Sequence, residues 1–223
     1  MPVTFDSLFL AHIAASYDKQ VYLHDSLGDN HRWQFDLTEG ILTFNSRLSF
    51  AAQVLGTESL ESHTWMWGWA NEASGIPPHL LEAALKMRAL GEREHIRAFT
   101  ASQMLLDGHI SGYRFAVSAC GVTQANCFYR AEYDGGALYL LIRDPAFHWR
   151  ITDPLLRIAR LFPEMVAKVG ISNHLNALLH YLQFYELDWT RTDRYISARQ
   201  PGTTLTAEFD AEHRLVTLSA MHA

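Results

Sequence analysis

In His63-Thr64-Trp65-Met66-Trp67-Gly68-Trp69-Ala70-Asn71, a histidine and three tryptophans fall at every second position. On a strand, that spacing sends His63, Trp65, Trp67 and Trp69 to one face and Thr64, Met66, Gly68 and Ala70 to the other. Three aligned indoles can wall a groove for a ligand or peptide, because Trp joins a large contact area to one N–H donor. They can equally form the core surface on which a following helix packs, the commoner fate of large aromatics. On either reading at least two of the three are expected to be largely buried. His63, Trp65, Trp67, Trp69 and Asn71 are the candidate ligand-binding residues of this segment.

A sixth candidate is His180. Asn176, His180 and Gln183 fall at i, i+4 and i+7 opposite a row of leucines, which makes them a wet helix face or one wall of a polar cleft. Other clusters carry less chemistry. His24, Asp25, Asp29 and His31 share a loop, but their spacing fits neither a calcium loop nor a zinc motif, and Asp is common in turns. No metal site and no cofactor are expected. Glu92, Glu94 and His95 set acids beside a base, yet neighbouring helical positions do not face each other. The segment reads as a solvated helix end. The sequence has no G-x-S-x-G elbow, H-E-x-x-H, Walker loop or G-x-G-x-x-G. No catalytic residue is therefore named, although triads are recognised by geometry and not by order.

The elements that must position these residues follow from periodicity and turn chemistry. Residues 7–25 repeat apolar positions at helical spacing (Leu8, Ile13, Ala14, Tyr17, Val21). Four strands of a meander follow at 33–37, 41–45, 49–57 and 63–70. Pro77-Pro78 starts a helix whose buried arc is Leu80, Leu81, Ala84, Leu85 and Met87, with Glu82 and Lys86 facing out. Gly91 caps or breaks it, 92–100 continues for a turn or two, and another helix covers 111–121. Asp134-Gly135-Gly136 predicts a hairpin pairing 128–133 with 137–143. Helices follow from Asp153, disturbed at Pro163, and over 173–185, burying Leu175, Leu178, Leu179 and Leu182. Pro201-Gly202 leads into a last hairpin, 204–209 with 214–219. The fold class is α+β: an antiparallel meander and hairpins, with helices packed on the sheet faces. One domain over 1–223 is expected, with a sub-division near 100–110 as the alternative.

Composition bounds the function. With 48% apolar and 19% charged residues the chain is ordinary globular material. A net charge of −6 with no cluster of Lys and Arg argues against nucleic acid. The apolar runs fall short of the ~18 residues of a membrane span, and the N-terminus lacks the positive region of a secretory signal. Cys120 and Cys127 form no Cys-x-x-Cys motif and read as free thiols of a cytoplasmic protein.

Thr64-Trp65-Met66-Trp67-Gly68-Trp69-Ala70-Asn71 resembles the signature Thr-Trp-x-Trp-x-Trp-Ala-Asn of an uncharacterised bacterial family, a domain of unknown function. Similar pieces follow the same order: Leu55-Gly56, Arg88-Ala89-Leu90-Gly91-Glu92, Phe128-Tyr129-Arg130-Ala131 and Phe209-Asp210-Ala211-Glu212-His213-Arg214-Leu215. The likeness spans about residues 40–220, with His213 standing where a Gly is expected in the final turn. It implies a bacterial cytosolic α+β protein and carries over no activity.

Three functions remain in view. The first is a non-catalytic protein that binds a small molecule or another protein through a Trp-lined surface or pocket. The second is a hydrolase-like enzyme with a dispersed site that includes His63 or His180. The third is a partner protein that neutralises a toxin.

Overall fold

Asp134-Gly135 closes the hairpin on which the first sheet is built. Gly135 takes φ +85°, a left-handed conformation that costs glycine nothing, and Tyr133 pairs directly with Gly136. The computed structural model describes residues 2–222. By its internal contacts the chain divides into two compact units. The first is Lys19–Trp149 with the described residues up to Phe9; the second is Leu10–Asp18 with the residues from Arg150 onward. Helix α1 (Phe5–Leu27), capped by Thr4 and Ser7 in a capping box, gives residues to both. The stretch near 100–110 lies inside the first unit, where β5 (Gln103–Leu105) pairs with β4 (Thr64–Trp67).

In the first unit β1 (Trp33–Asp36), β2 (Ile41–Phe44), β3 (Leu48–Ser59) and β4 form the expected antiparallel meander. β3 is the spine. Its residues 48–51 pair with β2 and 56–59 with β4, while β7 (Gly136–Ile142) runs along 52–59 and pairs in turn with β6 (Cys127–Tyr133). Leu42, Phe44, Phe50, Val54, Leu140 and Ile142 make one apolar core. α2 (Glu82–Glu94), α3 (Arg97–Thr100) and α4 (Gly112–Val122) complete this unit. Cys120 and Cys127 are buried and form no disulfide, and burial pushes the Cys127 thiol well up.

In the second unit α5 (Pro154–Lys168) lies against β9 (Tyr195–Gln200), β10 (Thr203–Phe209) and β11 (Leu215–His222), with α6 (His174–Phe184) beside it. The sheet order is β11-β10-β9-β8, where β8 is Trp189–Arg191. Ile158, Leu161, Phe162, Leu178 and Leu182 are buried, as are Ile196, Ala198, Leu205 and Ala207 of the sheet. The architecture is thus α+β with two antiparallel sheets.

Several elements depart from expectation. The Trp strand ends at Trp67, because Asn71 N–H turns back to Gly68 C=O and makes residues 68–70 a 3-10 turn. Pro78–Leu80 forms its own short 3-10 turn, so α2 begins at Glu82 and its buried side becomes Ala83, Ala84, Met87 and Leu90; Leu85 is exposed. Gly91 is interior to α2, and His95, at φ +58°, supplies the left-handed stop. α5 runs through Pro163 unbroken; one lost hydrogen bond is outweighed by burial of Leu161, Phe162 and Met165 around it. β9 joins β10 through Pro201-Gly202, adding a strand before the expected last hairpin. In the final turn His213 takes φ +62°, the conformation for which a Gly was expected.

Candidate functional site

Trp65 and Trp67 share a face of β4 and are fully buried, in edge contact with each other at 5.5 Å. Phe115 of α4 packs on both rings, at 4.9 and 5.0 Å, and Phe99 meets Trp67. Trp67 Nε1 donates to the Ala98 carbonyl at 3.1 Å, while Trp65 Nε1 has no acceptor among the described residues. Gly56, the cross-strand partner of Trp67, exists for this packing: a Cβ there would lie 2.4 Å from the Trp65 ring. These indoles are core. Trp69, in the 3-10 turn, leaves their face; it is half-buried with the Arg88 guanidinium 4.6 Å from its ring.

The other sequence candidates do not gather around the indoles. His63 is exposed at φ +50° in the turn before β4, where its carbonyl accepts from Leu106 N–H. Asn71 is half-buried between two 3-10 turns. His180 belongs to the second unit, exposed on α6; partial burial of its ring lowers its pKa against a hydrogen bond with Gln183. His24 pairs with Asp29 at 3.2 Å, and His31 hydrogen-bonds Tyr129 Oη. No group of three or more potential metal ligands gathers among the described residues. Arg88–Glu92 and Arg93–Glu94 pairs make the end of α2 a solvated one. Among the described residues no helix is long and apolar enough to cross a membrane.

A different place has the shape of a site. At the open end of the β6–β7 hairpin lies a cleft of about 530 Å³ within the first unit. Residues 124–126 enter the hairpin and 143–145 leave it, so Cys127–Ile142 pairing sets them side by side. Asp144 fixes this corner to the sheet: its carboxylate accepts Ala51 N–H and Ala146 N–H, both at 2.7 Å, and its own N–H donates to Asn126 Oδ1 at 2.8 Å. Arg143 N–H donates to the Ala51 carbonyl at 2.9 Å. Across the cleft Gln53 Oε1 accepts Ala83 N–H at 2.9 Å, and Gln53 Nε2 reaches Glu82 and the His79 carbonyl. The walls are thus held by hydrogen bonds independent of any guest.

Four other lining side chains are uncommitted. Arg143, Glu39, His79 and Gln124 make no hydrogen bond or ion pair through their side chains with another described residue. The guanidinium offers donors in a planar fork and the Glu39 carboxylate offers acceptors. The arrangement can therefore hold one molecule by both signs of charge. Sequence reasoning named none of these as site residues. The available signal was the hairpin, whose register obliges polar residues flanking its two strands to meet.

No curated protein and no solved structure matches the chain. A family model does, over residues 6–145, a range that holds the Trp segment and every residue lining the cleft; Phe209–Leu215 lies beyond it. By that match the chain belongs to DUF6882, a family of unknown function.

Proposed function

We propose that this protein acts by binding a small zwitterion, an amino acid or short peptide, in the cleft at the open end of the β6–β7 hairpin. The observation that carries the reading is the uncommitted Arg143 guanidinium, which shares one cleft with the carboxylates of Glu39 and Glu82. A guanidinium grips a carboxylate through two parallel hydrogen bonds, a geometry a lysine cannot reproduce. Glu39 is the acceptor for an ammonium, and the Gln124 and Asn126 side chains can meet amide or hydroxyl groups. A volume of about 530 Å³ falls in the usual range of small-molecule sites. Binding at this cleft replaces binding at a tryptophan wall, since burial leaves Trp65 and Trp67 no face for a ligand. The reading extends to a bacterial origin, which the resemblance of Thr64–Asn71 implies, and to a cytoplasmic setting, supported by two buried cysteines that form no disulfide.

Thermal unfolding with a panel of amino acids and dipeptides tests this, beside the same compounds N-acetylated or C-amidated. Ligand near 100 times Kd stabilises by about 2.7 kcal/mol, a rise of several degrees in Tm for a chain this size. Free zwitterions should produce the rise, blocked ones much less, and Arg143→Ala should remove it. Equal stabilisation by blocked compounds would overturn the reading.

A further inference from the structure

Two reciprocal hydrogen bonds join the start of α6 to the β10–β11 turn. Leu175 N–H donates to the His213 carbonyl at 3.2 Å, and Leu215 N–H donates to His174 Nδ1 at 3.0 Å. The second bond follows from a bulge at the start of β11. Phe209 is opposite Leu215 and Glu208 is opposite Thr217, which leaves Val216 as the extra residue. Phe209 gives its own N–H to the Arg194 carbonyl, on the side away from β11. Leu215 N–H therefore has no partner in β10, and the imidazole takes it.

The ring's two partners fix its tautomer. Nε2 lies 3.1 Å from the Ile171 carbonyl. A carbonyl only accepts and a backbone N–H only donates, so Nε2 carries the proton and Nδ1 is bare. The neutral ring satisfies both neighbours. An imidazolium has a proton on each nitrogen and would turn an N–H against the Leu215 N–H. His174 is also the first residue of α6, where the positive end of the helix dipole opposes a cation. The charged groups around it give an imidazolium no carboxylate partner. Residues 169–173 hold no titratable side chain. In the turn Asp210 and Glu212 both pair with Arg214, and His213 is exposed. At the end of α5, Lys168 pairs with Glu164.

We propose that His174 is an acid-released latch between α6 and the β10–β11 turn. A proton from solvent reaches the half-buried ring and occupies the Nδ1 lone pair that Leu215 N–H had used. Protonation and the Leu215 bond exclude each other, so acid frees the bulged start of β11 from α6. The latch is closed at neutral pH and loosens as pH falls through the range in which histidine titrates. This proposal is independent of the cleft and its ligand.

Amide hydrogen exchange of the intact protein, resolved by NMR and corrected for the intrinsic pH dependence of exchange, provides the test. With a released histidine titrating at roughly pH 6.5, protection of the Leu215 amide should fall about tenfold from pH 7.5 to pH 5.5. The Ala207 amide, in the middle of β10, should keep its protection. His174→Gln supplies an acceptor that does not titrate, and should make Leu215 protection independent of pH. His174→Ala should lower that protection at every pH, and His213→Asn should retain the tenfold change. Leu215 protection that stays constant with pH in the unaltered protein would overturn the proposal. So would a tenfold change that persists in folded His174→Gln protein, or one that disappears in folded His213→Asn protein.

Discussion

Each unit withdraws one carboxylate from water, and the two do it by different means. Glu58 of β3, 8% exposed, bonds both backbone and side chains. Its Oε1 accepts the N–H of Gly112, the first residue of α4, at 2.8 Å; its Oε2 accepts Tyr139 Oη–H at 3.0 Å, with Arg130 Nε at 3.4 Å. The unsatisfied N–H groups and positive dipole end of the helix do part of the work of a counter-ion. Asp18 of α1 has no exposure and relies on side chains: Arg157 at Oδ1, and both Tyr181 (2.6 Å) and Tyr185 at Oδ2. Glu58 thus holds a helix to a sheet, whereas Asp18 holds side chains to one another. Neither carboxylate lines the cleft, so burial of charge here marks structure and not the candidate site.

The largest expected effects come from breaking the enclosed arrangements. Arg157→Met leaves the buried Asp18 carboxylate without its counter-ion, held only by the Tyr181 and Tyr185 hydroxyls, and should cost about 3–5 kcal/mol in urea unfolding of the second unit. Adding Asp18→Asn should recover much of that loss; no recovery would mean that Arg157 matters for packing alone. In the first unit Trp65→Ala, directly across the strand pair from Glu58, should also cost about 3–5 kcal/mol through the cavity it leaves. Trp69→Ala should cost clearly less, since its ring is only half-buried.

Removing single partners should separate the two carboxylates further. Arg130 is partly exposed and stands 3.4 Å from Glu58. Arg130→Met should therefore cost under about 1 kcal/mol, as for other solvent-exposed pairs. A loss as large as that from Arg157→Met would erase the distinction drawn between the two. Tyr139→Phe should cost about 1–2 kcal/mol, because it takes one donor from a charged acceptor while the Gly112 N–H remains.

How much of this was legible in the sequence depended on range. The β6–β7 hairpin was, because Asp134-Gly135 states its turn locally. The Trp alternation was legible only to Trp67: nothing in Gly68-Trp69-Ala70 announces a 3-10 turn, which packing imposes. Asp18 meets residues 139, 163 and 167 positions away, and no local pattern encodes such a partnership. Arg143, Glu39 and His79 are ordinary surface residues in isolation. Only the folding of 39–40, 51–53, 79–82 and 143–145 around one space makes them candidates.

The smallest effect is one of pH. Burial, and secondly the Asp18 charge, raise the pKa of Tyr181 and Tyr185 above the usual 10.0; burial and Glu58 do the same for Tyr139. The unfolded chain loses these protons first as pH rises. Their contribution to stability is thus full below pH 10 and declines above it. Tyr185→Phe should make the alkaline decline of stability shallower, as measured by urea unfolding from pH 9 to 11. Tyrosine absorbance should show these phenols titrating only on unfolding.

Calorimetric titration of the intact protein with a free dipeptide tests zwitterion binding most directly, comparing the unaltered chain with Arg143→Ala, Glu39→Gln and Trp69→Ala. Binding in the cleft predicts a saturable single-site isotherm, weakened at least tenfold by Arg143→Ala, weakened less by Glu39→Gln, and unchanged by Trp69→Ala. A folded Arg143→Ala protein that binds the dipeptide as tightly as the unaltered one would contradict it.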